Sequence, residues 1–214
     1  MSQNHLGFHF THLNNLKQVI AMGAMLCDTT VTARGLLVVE TADSSLKQQR
    51  RETPVPVGPM GCLADYVPFY FSPHSPMLLR VATGQNVDYS GGQDPLVFLV
   101  VESNRLIATG HEMVVSDGHP VAGLSRFADV SLIDTHVDWS IMRGRMFTNT
   151  DEDGDRQRRR QAELLVHSQV PLDHVSAMLC RTPRTKTAVE ALLLRAGLDI
   201  PTDVRPLTYY PNKP

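Results

Sequence analysis

The chain has 214 residues, of which 42% are hydrophobic, with 20 Lys and Arg set against 22 Asp and Glu for a formal charge of −2. That length and apolar content suit one domain with its own core, spanning residues 1–214. The near-neutral charge excludes a protein that grips long stretches of duplex through a broadly basic face, so any nucleic-acid site must be local and contact few phosphates.

Residues 6–10 alternate and are rich in aromatics, which predicts a first strand. Asn14 is placed to cap a short helix over 15–22, with Leu16, Val19 and Ile20 on one face and Gly23 as the stop. Residues 28–53 are polar and predict a long loop, interrupted by an apolar patch at 35–40 that reads as a buried strand or a short helix. Short apolar or aromatic runs divided by Pro and Gly predict strands at 66–71, 77–82, 96–102 and 112–116. A helix is expected over 138–143, a mobile charged loop over 148–160, and strands at 163–167 and 175–180. The helix over 185–196 has the clearest pattern, with Val189, Leu192, Leu193 and Ala196 on one face and Gly197 as its end. Residues 204–210 are candidates to close the sheet. Strands outnumber helices without alternating with them, which argues for an α+β fold rather than a doubly wound α/β one.

On a strand His9 and Thr11 face the same side, and two short hydrogen-bonding groups side by side suit a ribose diol or an amide. A capping Thr between two surface His is the other reading. Gln161 and Glu163 also share a side, and an acid beside buried Leu and Val is costly unless paired or used. A Glu on an edge strand, pointing to water, is the alternative. Arg50 and Arg51 lie in the polar stretch, and Arg156, Arg158, Arg159 and Arg160 follow an acidic run. These could meet phosphates, or simply be solvated. The segment from Asp65 to Met77 holds three Pro and four aromatics, so the chain must kink there, and rings on a stiff turn can stack on a flat ring. No metal is expected. Asp151, Asp153 and Asp155 alternate as in a calcium loop, but Ala162 stands where the closing Glu is required. Cys27, Cys62 and Cys180 form no CxxC pair. Neither phosphate-binding glycine motif is present. No apolar run approaches 18 residues and residues 1–10 lack a signal-peptide pattern, so a cytoplasmic protein with no membrane association is expected.

Taken in order, the segments together resemble one family. His9-Phe-Thr-His-Leu-Asn-Asn-Leu16, then Arg50 fifteen residues before Asp65, and the block from Tyr66 to Met77 resemble the opening half of the DarT family. Ser90-Gly-Gly-Gln-Asp-Pro95, Ser116-Asp-Gly-His119, Arg126-Phe127, Asp138-Trp139 and Gln161-Ala-Glu-Leu-Leu-Val166 are similar to its later landmarks. The resemblance implies an ADP-ribosyltransferase fold in which split antiparallel sheets clasp NAD+. It further implies that His9 and Thr11 hold the adenosine-side ribose, and that Tyr70 and Met77 line the nicotinamide end. Arg50 would sit near the pyrophosphate and the reacting base, and Glu163 would be the catalytic carboxylate. Arg51, His74, His119, Arg158 and Arg159 are the candidates for contacting single-stranded DNA. His74 stands where the family usually has Arg, and Arg51 beside Arg50 leaves open which guanidinium acts. The implied activity is a toxin that transfers ADP-ribose to a DNA base. Thymidine is the first expectation and guanosine the second, and a separate antitoxin would hydrolyse the product. An ADP-ribosyltransferase acting on RNA or protein, and an inactive NAD- or DNA-binding module, are the competing readings.

Overall fold

A computed structural model describes residues 3–211; residues 1–2 and 212–214, which the one-domain and signal-peptide expectations also take in, lie outside the described residues. In chain order the first half holds β1 (Leu6–His12), α1 (Leu13–Met22), β2 (Ala24–Leu26), α2 (Asp28–Ala33), α3 (Ser44–Glu52), β3 (Tyr66–Tyr70), α4 (Pro76–Ala82), β4 (Leu96–Glu102) and α5 (Ser103–Ala108). The second half holds β5 (Met113–Ser116), β6 (Phe127–Asp129), α6 (Ile133–His136), α7 (Trp139–Arg143), α8 (Arg156–Arg159), β7 (Glu163–His167), β8 (Gln169–Pro171), β9 (Val175–Cys180), α9 (Pro183–Ala196) and β10 (Thr202–Val204).

Eight strands run in the order β10-β9-β4-β1-β3-β7-β5-β6, and β2 pairs with β8 in a separate ribbon. All pairings in the large sheet are antiparallel except β9 with β10. The middle of this sheet is a seam. β1 pairs with β4 along its whole length, whereas β1 and β3 meet only at Phe8 and Tyr70. Two four-stranded halves therefore splay from one point of contact, which is the split arrangement of the α+β fold expected above. Gly7 permits the approach at the seam: a Cβ there would lie 2.9 Å from Cβ of Phe69 and 3.0 Å from Cγ2 of Val101.

The central strands are covered on both faces, so they read as continuous apolar runs rather than alternating ones. In β4, Val97, Leu99 and Val101 join the layer that includes Leu16 of α1 and Val189 and Leu193 of α9. Leu96 and Phe98 of the same strand turn to the opposite layer with Phe10, Leu78, Val81 and Tyr209.

Several expectations are corrected. The strand expected at 77–82 is helix α4. The Ser75 hydroxyl accepts the Leu78 N–H and Pro76 takes the first helical turn, so the Ser-Pro pair begins a helix rather than bounding a strand. The loop expected over 28–53 contains α2 and α3, the latter capped by the Asp43 carboxylate. The patch at 35–40 is neither strand nor helix. Asn15 pins it, accepting the Val38 and Val39 N–H groups and donating to the Val39 carbonyl. His12, not Asn14, caps α1, while Gly23 closes it at φ 69° as expected. The sheet is extended by β10 and a 3-10 turn at Pro206–Thr208 rather than by a strand over 204–210. The charged segment 148–160 contains α8.

Candidate active site

The splayed halves leave a cavity of about 620 Å³, lined from β1, α3, β3, α4 and the start of β7. That volume lies in the range of sites for a small cofactor-sized molecule. His9, Thr11, Arg50, Tyr70, Met77, His119, Gln161 and Glu163 all line it. His9 and Thr11 of β1 and Glu163 of β7 thus meet at one site from opposite halves of the sheet, and Gln161, which lies in the turn before β7 rather than on the strand, joins them.

Glu163 is 2% exposed at the first position of β7. Its N–H donates to the Ser116 hydroxyl at 3.0 Å, and that hydroxyl donates to the Gly118 carbonyl at 2.8 Å. One serine therefore holds the backbone at Glu163 against the turn that carries His119. Tyr70 is the register partner of Glu163 on β3. Its hydroxyl lies 3.9 Å from the sulfur of Met77 on α4, so these two cavity residues touch.

Arg50 reaches across from α3. Its Nη1 donates to both carboxylate oxygens of Glu163, at 3.2 and 3.0 Å, while its Nη2 is buried without a partner among the described residues. Half of a guanidinium fork is thus committed to the acid, and half is left to bond something else in the cavity. Burial raises the Glu163 carboxyl above its ordinary range, and the Arg50 charge and hydrogen bond oppose that rise. The carboxylate stays a strong acceptor with an unusually high proton affinity, which suits a group that both stabilises positive charge and takes up a proton.

The two imidazoles of the cavity are neutral at pH 7. His9 is pushed down by burial and by Arg50, with its Nδ1 2.9 Å from the Pro68 carbonyl. A carbonyl only accepts, so Nδ1 carries the proton and Nε2 is left as an acceptor, suited to a sugar hydroxyl. His119 is lowered to about 4 by desolvation and by Arg50, and its Nδ1 is buried without a partner among the described residues. Orphaned polar atoms on Arg50 and His119 in one cavity fit a ligand that carries its own donors and acceptors.

A family description, "ssDNA thymidine ADP-ribosyltransferase, DarT", matches residues 8–210. The chain belongs to the DarT family. The DNA ADP-ribosyl transferase of Mycobacterium tuberculosis is 37% identical over 207 residues, 95% of this chain and 88% of the relative. DarT of Thermus sp. 2.9 in complex with ADP-ribosylated ssDNA is similar with a TM-score of 0.89 at 27% identity, covering 96% of each chain. The same Thermus protein in complex with NAD+ is similar with a TM-score of 0.82, covering 96% of this chain and 98% of that one. As a DarT-family member with the ADP-ribosyltransferase fold, this chain is an NAD+-dependent ADP-ribosyltransferase acting on single-stranded DNA.

In this DarT-family chain the remaining candidates fall outside the cavity. Arg51 turns away from Glu163, pairs with Asp28 at 2.9 Å and donates to the Thr32 hydroxyl. Arg158 is held by Asp155, Asp117 and Ser125. Arg159 pairs with Asp138 at 2.5 Å and also with Asp153. Each of these three guanidinium groups is thus engaged by carboxylates, while Arg159 Nε is buried without a hydrogen-bond partner among the described residues. His74 lines a second groove, not the cavity. No group of three or more His, Cys, Asp or Glu among the described residues is placed to hold a metal, and no helix among them is long and apolar enough to cross a membrane.

Sequence reasoning missed two cavity residues, Lys47 and Arg80, and its expectation that Arg160 meets phosphates or solvent is corrected by burial. Lys47, bound to Asp28 and Glu40 at 2.8 Å each, lines the cavity one turn before Arg50. Arg80 of α4 lines it too and pairs with Asp43 at 3.2 Å, bridging α4 to the cap of α3. Arg160 is only 2% exposed and donates to the carbonyls of Ile141, Met142, Gly144 and His74 and to the Ser72 hydroxyl. A helical reading of 44–52 would have found Lys47, because positions three apart share a face. Arg160 carries no local signal, since its acceptors come from distant turns.

Proposed function

We propose that this chain is the toxin of a toxin–antitoxin pair, acting in the cytoplasm, and that it transfers ADP-ribose from NAD+ to a ring nitrogen of thymidine in single-stranded DNA. The observation that carries the reading is the pair of buried Glu163 with part-buried Arg50, facing a neutral His9 and Thr11 across a cavity of NAD+ size. NAD+ supplies an anomeric carbon whose bond to nicotinamide breaks with its electron pair leaving on the nicotinamide. Glu163 accepts hydrogen bonds from the attached ribose and favours the positive charge that builds there, as carboxylates do in glycoside cleavage. As the base nitrogen bonds to that carbon its proton is lost, and Glu163, with its raised proton affinity, is the acceptor.

The other roles follow from placement. His9 and Thr11 hold the adenosine-side ribose, with the Nε2 lone pair of His9 accepting a hydroxyl proton. Tyr70 and Met77 close the nicotinamide end. The free Nη2 of Arg50 serves the pyrophosphate or the base. His119 belongs to the DNA side of the cavity, where a neutral ring can hydrogen-bond a base without adding charge. A toxin of this kind implies a separate antitoxin with ADP-ribosyl-DNA hydrolase activity.

The test is incubation with labelled NAD+ and four single-stranded oligonucleotides, each lacking one base, beside Glu163→Gln. Loss of label only on the thymidine-free strand, with the variant silent on all four, is the expected result. Loss only on the guanosine-free strand moves the target to guanosine. Label on RNA or protein but on none of the strands overturns the substrate assignment.

A further inference from the structure

Arg158 sits on α8, shortly before Glu163 in the chain, and does not line the cavity. Its side chain is only 16% exposed and lies against the turn that carries His119. A Cβ at position 118 would stand 2.3 Å from Nη1 of Arg158 and 2.9 Å from its Cζ, so glycine there leaves the guanidinium its place. Nε and Nη2 donate to the two carboxylate oxygens of Asp155, at 2.8 and 2.7 Å, which fixes the group against the start of its own helix. Nη1 donates to the Asp117 carboxylate at 2.7 Å and to the Ser125 hydroxyl at 3.0 Å.

Both backbone groups of His119 lead to this residue. The His119 N–H donates to the Arg158 carbonyl at 2.9 Å. The His119 carbonyl accepts from the Ser125 hydroxyl at 2.7 Å, the same hydroxyl that accepts from Arg158 Nη1. Asp117 closes the turn from the other side. Its carboxylate accepts the Arg126 N–H at 2.9 Å, and its N–H donates to the Arg126 carbonyl at 3.1 Å. The Gly118 carbonyl accepts from Ser116, whose oxygen also takes the Glu163 N–H. His119 and Glu163 are therefore tied by two routes, one through Ser116 and one through Arg158 and the short stretch of chain that follows it.

An isolated ion pair at a surface contributes little and needs no functional account. Here one guanidinium engages two carboxylates and a hydroxyl, and its hold falls on a ring whose Nδ1 is buried without a partner among the described residues. A ring with a free polar atom keeps its aim through the backbone that carries it. Groups that align a base with an anomeric carbon must be held to a fraction of an ångström.

We infer that Arg158 is a positioning residue for the transfer reaction: it sets where His119 stands relative to Glu163, and does not itself meet DNA. The inference rests on the reading of His119 as the residue on the DNA side of the cavity and deepens it, since it names what holds that ring.

The experiment measures transfer to one single-stranded oligonucleotide over a range of salt, with wild type, Arg158→Met, Gly118→Ala, His119→Ala, and each of the first two combined with His119→Ala. Gly118→Ala keeps the arginine and its charge but displaces the guanidinium, so the two lesions reach the same brace by different routes. Each is expected to lower kcat/KM for the oligonucleotide about ten-fold, with KM for NAD+ within about two-fold of wild type and the slope of log kcat/KM on log salt unchanged. In the His119→Ala background either lesion is expected to cost less than about two-fold more, because no ring is left to place. A general loosening of the fold would cost as much in that background as in wild type. Losses that multiply in the double variants therefore overturn the inference, as does wild-type transfer by both single variants. Should Arg158→Met fail to fold, the Gly118→Ala cycle decides alone. A salt slope flattened by about 0.7 in Arg158→Met, the share of one phosphate on a single strand, makes Arg158 a DNA contact and overturns the positioning role while His119 keeps its own. Undiminished transfer by His119→Ala overturns the reading of His119 and the inference with it.

Discussion

Glu163 and Arg50 illustrate how little of a residue's role lies in its own identity. The acid is 2% exposed, paired by one guanidinium nitrogen and raised in proton affinity by its burial. Removing its charge while keeping its shape, in Glu163→Gln, is expected to lower transfer by about 10²–10³-fold, the usual loss when one preorganised electrostatic group is deleted from an active site. Single-turnover labelling measures it, and a loss under ten-fold would remove Glu163 from the chemistry. The adjacent arginines give an internal control. Arg50→Lys keeps a charge but cannot straddle both carboxylate oxygens while presenting a second prong, so it is expected to lose about 100-fold. Arg51→Lys, at a part-exposed pair with Asp28, is expected to stay within about three-fold. Equal losses in the two would reverse the assignment. The active form of Glu163 is ionised and its folded pKa is raised, so kcat/KM should fall on acidification at a pH above the ordinary carboxylate range.

At the scale of elements, short helices aim the cavity residues, and their ends decide where those residues point. The Ser75 cap starts α4 and so places Met77. Ser75→Ala is expected to cost about 1 kcal/mol, to lower Tm by about 3 °C and to raise KM for NAD+ more than it lowers kcat. A raised KM without any loss of Tm would mean that the cap does not set the position of Met77. Arg160 ties α7, the turn after β3 and the start of β7 together through five acceptors, with the Phe147 ring 5.3 Å from its guanidinium carbon. Arg160→Met leaves buried carbonyls without donors, and on the order of 3 kcal/mol is expected to be lost. Much of this scale was hidden in the sequence. The strand over 96–102 was readable from its apolar run, and α9 from its spaced apolar face and Gly197. The residues of α3 were not, because Leu46 is the one apolar residue in that helix and it therefore carries no apolar stripe. Helix α4 differs from the strand expected at 77–82 because that run is apolar at every position but Arg80. A short apolar run does not by itself separate strand from helix, and here the Ser75 cap with Pro76 in the first turn decides for the helix.

For the whole molecule, acidity should be destabilising well before the carboxylates titrate. His9, His12, His74, His111 and His119 all have lowered pKa values, chiefly through desolvation, His119 to about 4. Below the ordinary histidine value the unfolded chain binds protons that the folded one refuses, so stability is lost as pH falls from about 6.5 toward 4. Glu163 acts in the opposite sense, since a raised folded pKa favours the fold on acidification, but it is one group against five. Tm is therefore expected to fall between pH 7 and pH 5, and a flat or rising Tm by calorimetry would refute this balance. The seam between the sheet halves is the other molecular feature with a consequence. Gly7→Ala would press a methyl group onto Phe69 and Val101, and is expected to cost about 1–3 kcal/mol.

What the sequence determined by itself was the class of fold, the strand-borne pair His9/Thr11, Glu163 at the start of its strand, and, through an ordered set of motifs, a resemblance to the DarT family. Each of these is local, because strand period and motif spacing are properties of adjacent residues. The tertiary structure alone decided which arginine meets Glu163, that Lys47 and Arg80 join the cavity, that Arg158 and Arg159 are spent on aspartates, and that Arg160 is buried among carbonyls. Those outcomes depend on partners up to 113 residues away. Charge and hydrogen bonding between distant segments follow from how the sheet halves splay, and no window of sequence contains that geometry.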